Sequence, residues 1–471
     1  MNVSLIENLD LTKMENAKIV FSFIEKILSE NSEMKILIQE LKDEIARLKG
    51  ENGKPDIKGN KKKEDTIYSS ERERKEQKTH KKGSKKKTVK IDRVVEVLLD
   101  KTGLPEGLKL HGYEQRLVQD IIIKSDNVLY LKEVWIDPLT GKTYIARHDD
   151  EPAQGEEFTS ELKALVVYFY YGKTMSQQDI RNFLSDFGVS ISVGTISNII
   201  TSYKTDELTE ETINIITAGL KSRDWVGIDD TGLRVDGVNH FCNAIGNDLF
   251  TFYSTQLHKN MDTIKDIVLP KELRELFDVL LCDDAPQFKV ELVIIALCWI
   301  HELRHFKKLT PHLKRYQKEL DDILTKTWDY YQKLLKYKND PTEKVKELLK
   351  NEFDEIFNTP VDYEELAKRM ELTKKKKDRL LVVLDYPNVP LHNNDCELAA
   401  RTVVKKRKVC GGLRSDEGKV AWDNHFTILA TCKKQGISYI EYIKNIFSGS
   451  GNPKTLAELI VEKSNLNKPF A

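Results

Sequence analysis

No two of the six cysteines (Cys242, Cys282, Cys298, Cys396, Cys410, Cys432) form a CxxC pair. That argues against a disulfide framework and against a four-cysteine zinc site. No apolar run approaches the roughly 18 residues that a membrane span needs, so no membrane partner is expected. The stretch at residues 19–27 is broken by Glu25 and lacks a basic start and a small-residue cleavage site, so it is read as no signal peptide. Together these absences imply a cytoplasmic, reducing compartment. Net charge is missing too: 75 Lys and Arg balance 75 Asp and Glu. The balance says little about partners, because the charge is unevenly spread.

What is present is length and charge. The 471 residues have room for two or three domains around one large core. A hydrophobic fraction of 40% beside a charged fraction of 32% predicts long exposed helices and linkers. Residues 1–52 hold an amphipathic helix, with Ile19, Phe23, Ile27, Met34, Ile38, Leu41 and Ile45 at intervals that suit a surface helix or a coiled coil. From Lys54 to Lys90 apolar residues nearly vanish, and 15 Lys and Arg stand against 6 Asp and Glu. Residues 53–91 are therefore expected to be a disordered basic linker, either a solvated tether or a phosphate-binding arm.

Residues 92–158 are expected to form a small β module. Thr140-Gly141 marks a turn between Val134-Trp135-Ile136 and Thr143-Tyr144-Ile145. Residues 159–208 read as a helix-turn-helix. Ser176 caps a first helix, Phe187-Gly188 turns, and a second helix starts near Ser192. Ser192, Thr195 and Asn198 would face a DNA major groove, although helix pairs of this kind are also common in plain bundles.

The richest stretch starts at Trp225. A strand carrying Asp229-Asp230 ends in the hairpin signal Asp236-Gly237, and two more strands and a short helix follow. The apolar strand Val279-Leu280-Leu281-Cys282 then terminates at Asp283-Asp284. Three antiparallel strands, a helix and another strand is the chain order of an RNase H-like mixed sheet. In it, acidic residues on neighbouring strands converge, and their repulsion is relieved by a cation. Glu397, in the first turn of a later helix, supplies a third carboxylate. Hard Mg²⁺ (or Mn²⁺) takes such oxygen ligands, and two ions can run an in-line phosphoryl displacement. Each acidic pair alone would also serve as a turn former, and Asn394-x-x-Glu397 as a capping box. Only the combination, in this order on these elements, favours the catalytic reading.

Several blocks resemble the insertion sequence 66 family of DDE transposases. They are Asp229-Asp230-Thr231, Cys282-Asp283-Asp284-Ala285-Pro286-Gln287-Phe288, Cys298-Trp299-Ile300-His301-Glu302-Leu303-Arg304, and Asn393-Asn394-Asp395-Cys396-Glu397 through Arg401. The resemblance implies Asp229, Asp283 and Glu397 as the metal-binding triad, with Asp230 and Asp284 as the register alternatives. His301 and Arg304 would face the active site or the phosphates. The resemblance also implies DNA as partner, a nucleoid location, and a homo-oligomer when two transposon ends are brought together. Many members carry a cysteine-rich zinc knuckle before the core; residues 54–160 contain no cysteine, so that feature is not carried over.

Three further expectations complete the reading. The catalytic domain spans residues 209–448, with a charged helical insertion at about 309–380, and residues 449–471 form a tail. Lys405, Lys406, Arg407 and Lys408, beyond Glu397, together with Arg401, would hold the DNA backbone. Finally, His301-Glu302-Leu303-Arg304-His305 matches the zinc-peptidase pattern HExxH, but no downstream Glu or His stands in a second helical motif to complete that site. A transposase-derived DNA-binding protein that no longer catalyses is the other alternative.

Overall fold

The computed structural model describes residues 14–48, 91–100, 102, 111–114, 116–121, 123–148, 152, 155–268, 276–290 and 293–466. The expected basic linker lies outside them. Helix α1 (Met14–Leu48) runs unbroken for 35 residues. Its first half docks on the rest of the chain: Lys18 pairs with Asp362 at 2.7 Å, and Glu25 accepts the backbone N–H groups of His312 and Leu313. Those two amides begin a helix whose first N–H groups lack intrahelical acceptors, so a buried carboxylate there satisfies both. The apolar residues Met34, Ile38, Leu41 and Ile45 of the second half are exposed.

In the segment expected to be a β module, the hairpin of β1 (Val134–Ile136) and β2 (Thr143–Ile145) forms in the predicted register, with Trp135 opposite Tyr144. No other strand forms among the described residues of that segment. Residues 118–147 alternate in a strand-like way, but at 118–133 the described side chains find no core to pack against, and β propensity mostly measures such packing.

Helix α2 (Ser160–Val167) leads through one wider turn into the helix-turn-helix, made of α3 (Gln177–Asp186) and α4 (Val193–Thr201). Ser176 caps α3 through a full capping box with Asp179, and Gly188 takes φ +80° at the turn. Helix α5 (Thr205–Leu220) then delivers the chain to the sheet.

The sheet has five strands in the order β5-β4-β3-β6-β7: β3 (Trp225–Val235), β4 (Val238–Gly246), β5 (Thr251–Gln256), β6 (Val279–Cys282) and β7 (Ile294–Leu297). The first three are antiparallel, while β6 and β7 run parallel to β3. Asp236 and Gly237 both take positive φ, as the tight β3–β4 turn requires. Helix α6 (Met261–Val268) lies between β5 and β6. Strand β7 was not anticipated. Its apolar run 293–297 has no period to separate a buried parallel strand from a helix.

Beyond β7 come α7 (Trp299–Lys307), the long α8 (Lys314–Asn339), α9 (Glu343–Phe357), α10 (Glu364–Lys374) and the short α11 (Lys377–Leu380). Helices α8 to α11 fall in the segment at about 309–380 that is expected to be a helical insertion. Helices α12 (Asn394–Cys410) and α13 (Asp416–Gln435) return to the sheet, followed by α14 (Tyr439–Ser448) and α15 (Leu456–Leu466). One apolar core runs from Ile180 and Ile196 of the helix-turn-helix through Val226, Ile245 and Trp422 to Ile460.

The expected C-terminal tail is corrected by α15. Leu456 and Ile460 are fully buried, and Ser464 donates to the Ser222 carbonyl at 2.9 Å. Two apolar residues one helical turn apart are a short signal, and the Gly449–Pro453 break hid it.

Candidate active site

Register places the acidic residues before any side chain is considered. Strands β3 and β6 pair in parallel with Gly227 beside Leu281. Beyond that last pair, Asp229 and Asp230 continue along β3 while Asp283 and Asp284 directly follow β6, and the Asp283 charge reaches Asp229. Helix α12 covers the Asp229 face. Asn393, just before it, donates from Nδ2 to the Ile228 carbonyl at 2.6 Å, and a Cβ on Gly227 would lie 2.5 Å from Asn393 Oδ1 and 3.0 Å from Cys396 Sγ. The glycine lets α12 approach β3 closely enough for the Glu397 charge to act on Asp229. Gly227→Ala is therefore expected to displace Asn393, strand the Ile228 carbonyl, and cost about 1–3 kcal/mol in a denaturant titration.

The two faces differ electrostatically. Asp230 accepts from Lys259 Nζ at 2.7 Å and Gln287 Nε2 at 2.9 Å. Asp284 is held by Lys376 Nζ at 2.8 Å and Arg379 Nη1 at 2.9 Å, and these cations hold its carboxyl below the usual range against the effect of burial. Among the described residues no lysine or arginine pairs with Asp229 or Asp283. Asp283 accepts the backbone N–H of Ala285 at 3.0 Å. Burial pushes the Asp229 carboxyl up to about 7, and the carboxylates of Glu397, Asp230 and Asp283 push the same way. Carboxylates crowded around Asp229, with no lysine or arginine paired to Asp229 or Asp283 among the described residues, are the arrangement that a divalent metal relieves.

Glu397 is buried in the first turn of α12, where it faces three cationic or imidazole groups. Arg304 chelates it, Nη1 to Oε1 at 3.3 Å and Nη2 to Oε2 at 3.1 Å. Arg401, one turn along α12, lies 3.5 Å from Oε2. His301 Nδ1 is 3.5 Å from Oε1 yet makes no hydrogen bond, while its Nε2 takes a bond from Arg304 Nη1 at 3.0 Å. Burial, with Arg304 adding to it, lowers the His301 pKa, so the ring is neutral at pH 7. Cys298, at the start of α7, accepts the Asn393 backbone N–H at 3.4 Å, and burial raises its thiol to about 11.

The HExxH string has a different use. Glu302 is buried and bound by Thr373, Arg369 and Lys376, and the threonine hydrogen bond together with the two cations keeps its pKa low against the effect of burial. His305 is exposed. Lys376 also binds Asp284, so one ammonium ties α7, the insertion and the loop after β6 together. Glu302→Ala is expected to leave the part-buried Arg369 without this anion and Lys376 with Asp284 alone, and to lower unfolding stability by about 3 kcal/mol, read by thermal or denaturant melting.

The DNA-facing residues expected from sequence divide into three groups. Lys405, Lys408 and Arg401 are exposed on α12. Arg407 bends back to β3, donating to the Gly232 carbonyl and to Thr231 Oγ1. Lys406 must be withdrawn from the DNA-facing set. It is 1% exposed, donates to the Met175 carbonyl at 2.7 Å and sits 3.3 Å from the centre of the Tyr170 ring, and burial lowers its pKa to about 8. A run of four basic residues on a helix necessarily turns one of them inward, and composition does not say which. On α4, Ser192 Oγ caps the helix at Thr195 N (3.0 Å) and also contacts Thr195 Oγ1 (2.9 Å), while Asn198 is exposed.

Sequence reasoning missed Gly227, the clamp of Lys376 and Arg379 on Asp284, and the bond from Asn393 to β3. Asn393 was visible as part of a block, but its partner lies 165 positions away.

An acidic face between a mixed sheet and a helix is the class of site this chain builds. The sequence profile described as "Transposase IS66 family" matches residues 155–421, more than half of the chain, so the protein belongs to the IS66 transposase family. Over 187 residues it is 34% identical to the uncharacterized protein y4jO of Sinorhizobium fredii. That match covers 40% of this chain and 58% of the relative. No helix among the described residues is long and apolar enough to cross a membrane.

Proposed function

We propose that this protein is a DDE transposase with an RNase H-like catalytic core, which cleaves DNA at transposon ends and joins the freed 3′-hydroxyl to target DNA. The observation that carries the reading is the partition of the acidic residues. Asp230 and Asp284 are neutralised by Lys259, Lys376 and Arg379, whereas Asp229 and Asp283 pair with no lysine or arginine among the described residues, and burial with the nearby charges of Glu397 and Asp283 pushes the Asp229 carboxyl up to about 7. The strand order, with β3 central between an antiparallel and a parallel neighbour, supports the fold assignment.

The donor set is all carboxylate oxygen, which suits Mg²⁺ or Mn²⁺, and Asp229, Asp283 and Glu397 would hold the ions. Bound there, such ions would polarise the scissile phosphate and lower the pKa of the attacking water or hydroxyl. The chain's own groups do the positioning. Lys376 and Arg379 hold the Asp283-Asp284 loop through Asp284, and Asn393 seats Glu397 against β3. Arg304 chelates Glu397; were Glu397 to ligate a metal, the planar fork of Arg304 would be free to serve a phosphate. Neutral His301 orients an oxygen beside it. Exposed Lys405, Lys408 and Arg401 hold the flanking DNA backbone, with the basic segment at residues 53–91 and Asn198 of α4 adding contacts further out.

The test is cleavage and strand transfer on labelled DNA carrying the element's own ends, with Mg²⁺ or with EDTA. Activity that requires the metal supports the reading. End binding without cleavage in any metal would instead favour a DNA-binding protein that has lost its chemistry.

A further inference from the structure

The Glu397 side of the site holds donors that an all-oxygen metal centre does not use. Cys298, His301 and Glu397 place a sulfur, an imidazole nitrogen and a carboxylate oxygen all within 4.8 Å of one another. Cys298 and His301 stand three apart at the start of α7, so the first helical turn sets them on one side, and Glu397 approaches from α12. Cys298 is 1% exposed; burial favours its thiol, while the Asn393 N–H on its sulfur and a bound metal ion would both favour the thiolate. His301 Nδ1 is buried without a hydrogen-bond partner. A thiolate, an imidazole and a carboxylate with a fourth position open is a donor set for Zn²⁺, and a poor one for Mg²⁺. Zinc bonds of about 2.0–2.3 Å put tetrahedral ligand atoms about 3.5 Å apart, so small side-chain rotations close the site.

We propose that Cys298, His301 and Glu397 form a Zn²⁺ site that competes with the hard-metal site for Glu397 and so holds the enzyme off. The binding half stands on this geometry alone; the inhibitory half rests on the transposase reading above. Arg304 is the group that zinc displaces. A neutral imidazole has one lone pair, and in the metal-free protein that pair is engaged by Arg304, whose guanidinium also occupies both oxygens of Glu397. Zinc ligation by His301 and Glu397 therefore frees Arg304 from both.

The experiment titrates the metal-free full chain with Co²⁺ as a spectroscopic stand-in. One equivalent should give near-ultraviolet sulfur-to-cobalt charge transfer, lost in Cys298→Ser and retained in Cys432→Ser, with folding checked by circular dichroism. Arg304→Gln should bind cobalt roughly tenfold or more tightly, since the competing cation is gone. Zinc-edge X-ray absorption on the wild-type chain should find a single sulfur, a readout that needs no variant to fold. An unchanged band in Cys298→Ser, no band at all, or a sulfur-free shell overturns the site. In the Mg²⁺-dependent cleavage assay, Cys298→Ser should need at least about tenfold more Zn²⁺ than wild type to halve its own Mg²⁺-only rate. Equal zinc sensitivity overturns the inhibitory half and leaves the site standing. Absence of cleavage in every metal overturns the transposase reading and the inhibitory half together, while the cobalt spectra still decide the site.

Discussion

Glu397→Gln is expected to lower metal-dependent cleavage of transposon-end DNA by about 10²–10³-fold, the scale of removing one charge-stabilising group from a reaction centre. The substitution keeps the side-chain shape and one carbonyl oxygen but removes the charge. Two consequences separate the catalytic role from a structural one. Glutamine cannot hold the Arg304 guanidinium as a bidentate anion, so the interaction at 3.1 and 3.3 Å weakens. That chelate is only partly buried on the arginine side, so the stability change should be small beside the change in rate. Binding of the end DNA should persist, because the exposed cations of α12 are untouched. Cleavage and binding are measured side by side on the same labelled fragment. A variant as active as wild type would remove Glu397 from the site and leave its ion pairs with Arg304 and Arg401 as its whole role.

Asp229→Asn should act in opposite directions on stability and activity. The Asp229 carboxyl stands near 7 in the metal-free protein against an ordinary 3.8, because burial and three neighbouring carboxylates oppose its charge. An acid whose folded pKa is raised contributes stability that is fully present below the unfolded value and lost as pH rises through the folded one. The wild-type chain without metal should therefore lose stability between about pH 4 and pH 7 from this group. Asp423, raised to about 6 by burial, adds a loss of the same sign. The difference between wild type and Asp229→Asn isolates the Asp229 part.

Above pH 7 the asparagine variant should be the more stable by a few kcal/mol at most, since a tenfold change in proton affinity is worth about 1.4 kcal/mol. Yet it should cleave no DNA. Mg²⁺ should raise the melting temperature of wild type at pH 8 much more than at pH 5.5, where Asp229 is protonated, and should do little for the variant. Melting curves with and without metal at the two pH values check all of this. A variant no more stable than wild type at pH 8 would mean that Asp229 carries no electrostatic strain.

Legibility from sequence followed the range of the interactions involved. The β3–β4 hairpin was readable because Asp236-Gly237 is a local backbone requirement, met within a few residues. The caps at Ser176 and Ser192 were readable for the same reason. Strand β6 was visible as an apolar run ending at two aspartates, and Glu397 as part of a helix start. Strand β7 and helix α15 were missed. Each is short, and each becomes stable only by burial against elements far away in the chain, an effect that leaves little local pattern.

The sequence by itself determined which residue types were on hand: paired aspartates at 229–230 and 283–284, Glu397, and a basic run beyond it. It also set the order of strands and helices carrying them. It left each acidic pair ambiguous, because adjacent residues on a strand point to opposite faces and composition does not say which face is covered. Tertiary structure tells the members of each pair apart by their surroundings. Asp230 and Asp284 are ion-paired to Lys259, Lys376 and Arg379, while Asp229 feels the charges of Asp283 and of Glu397, carried on α12, which packs close to β3 at Gly227. The same docking buried Lys406 while leaving Lys405 and Lys408 in solvent. Which of several like residues acts depends on the groups that surround it, and those come together only through contacts between distant parts of the chain.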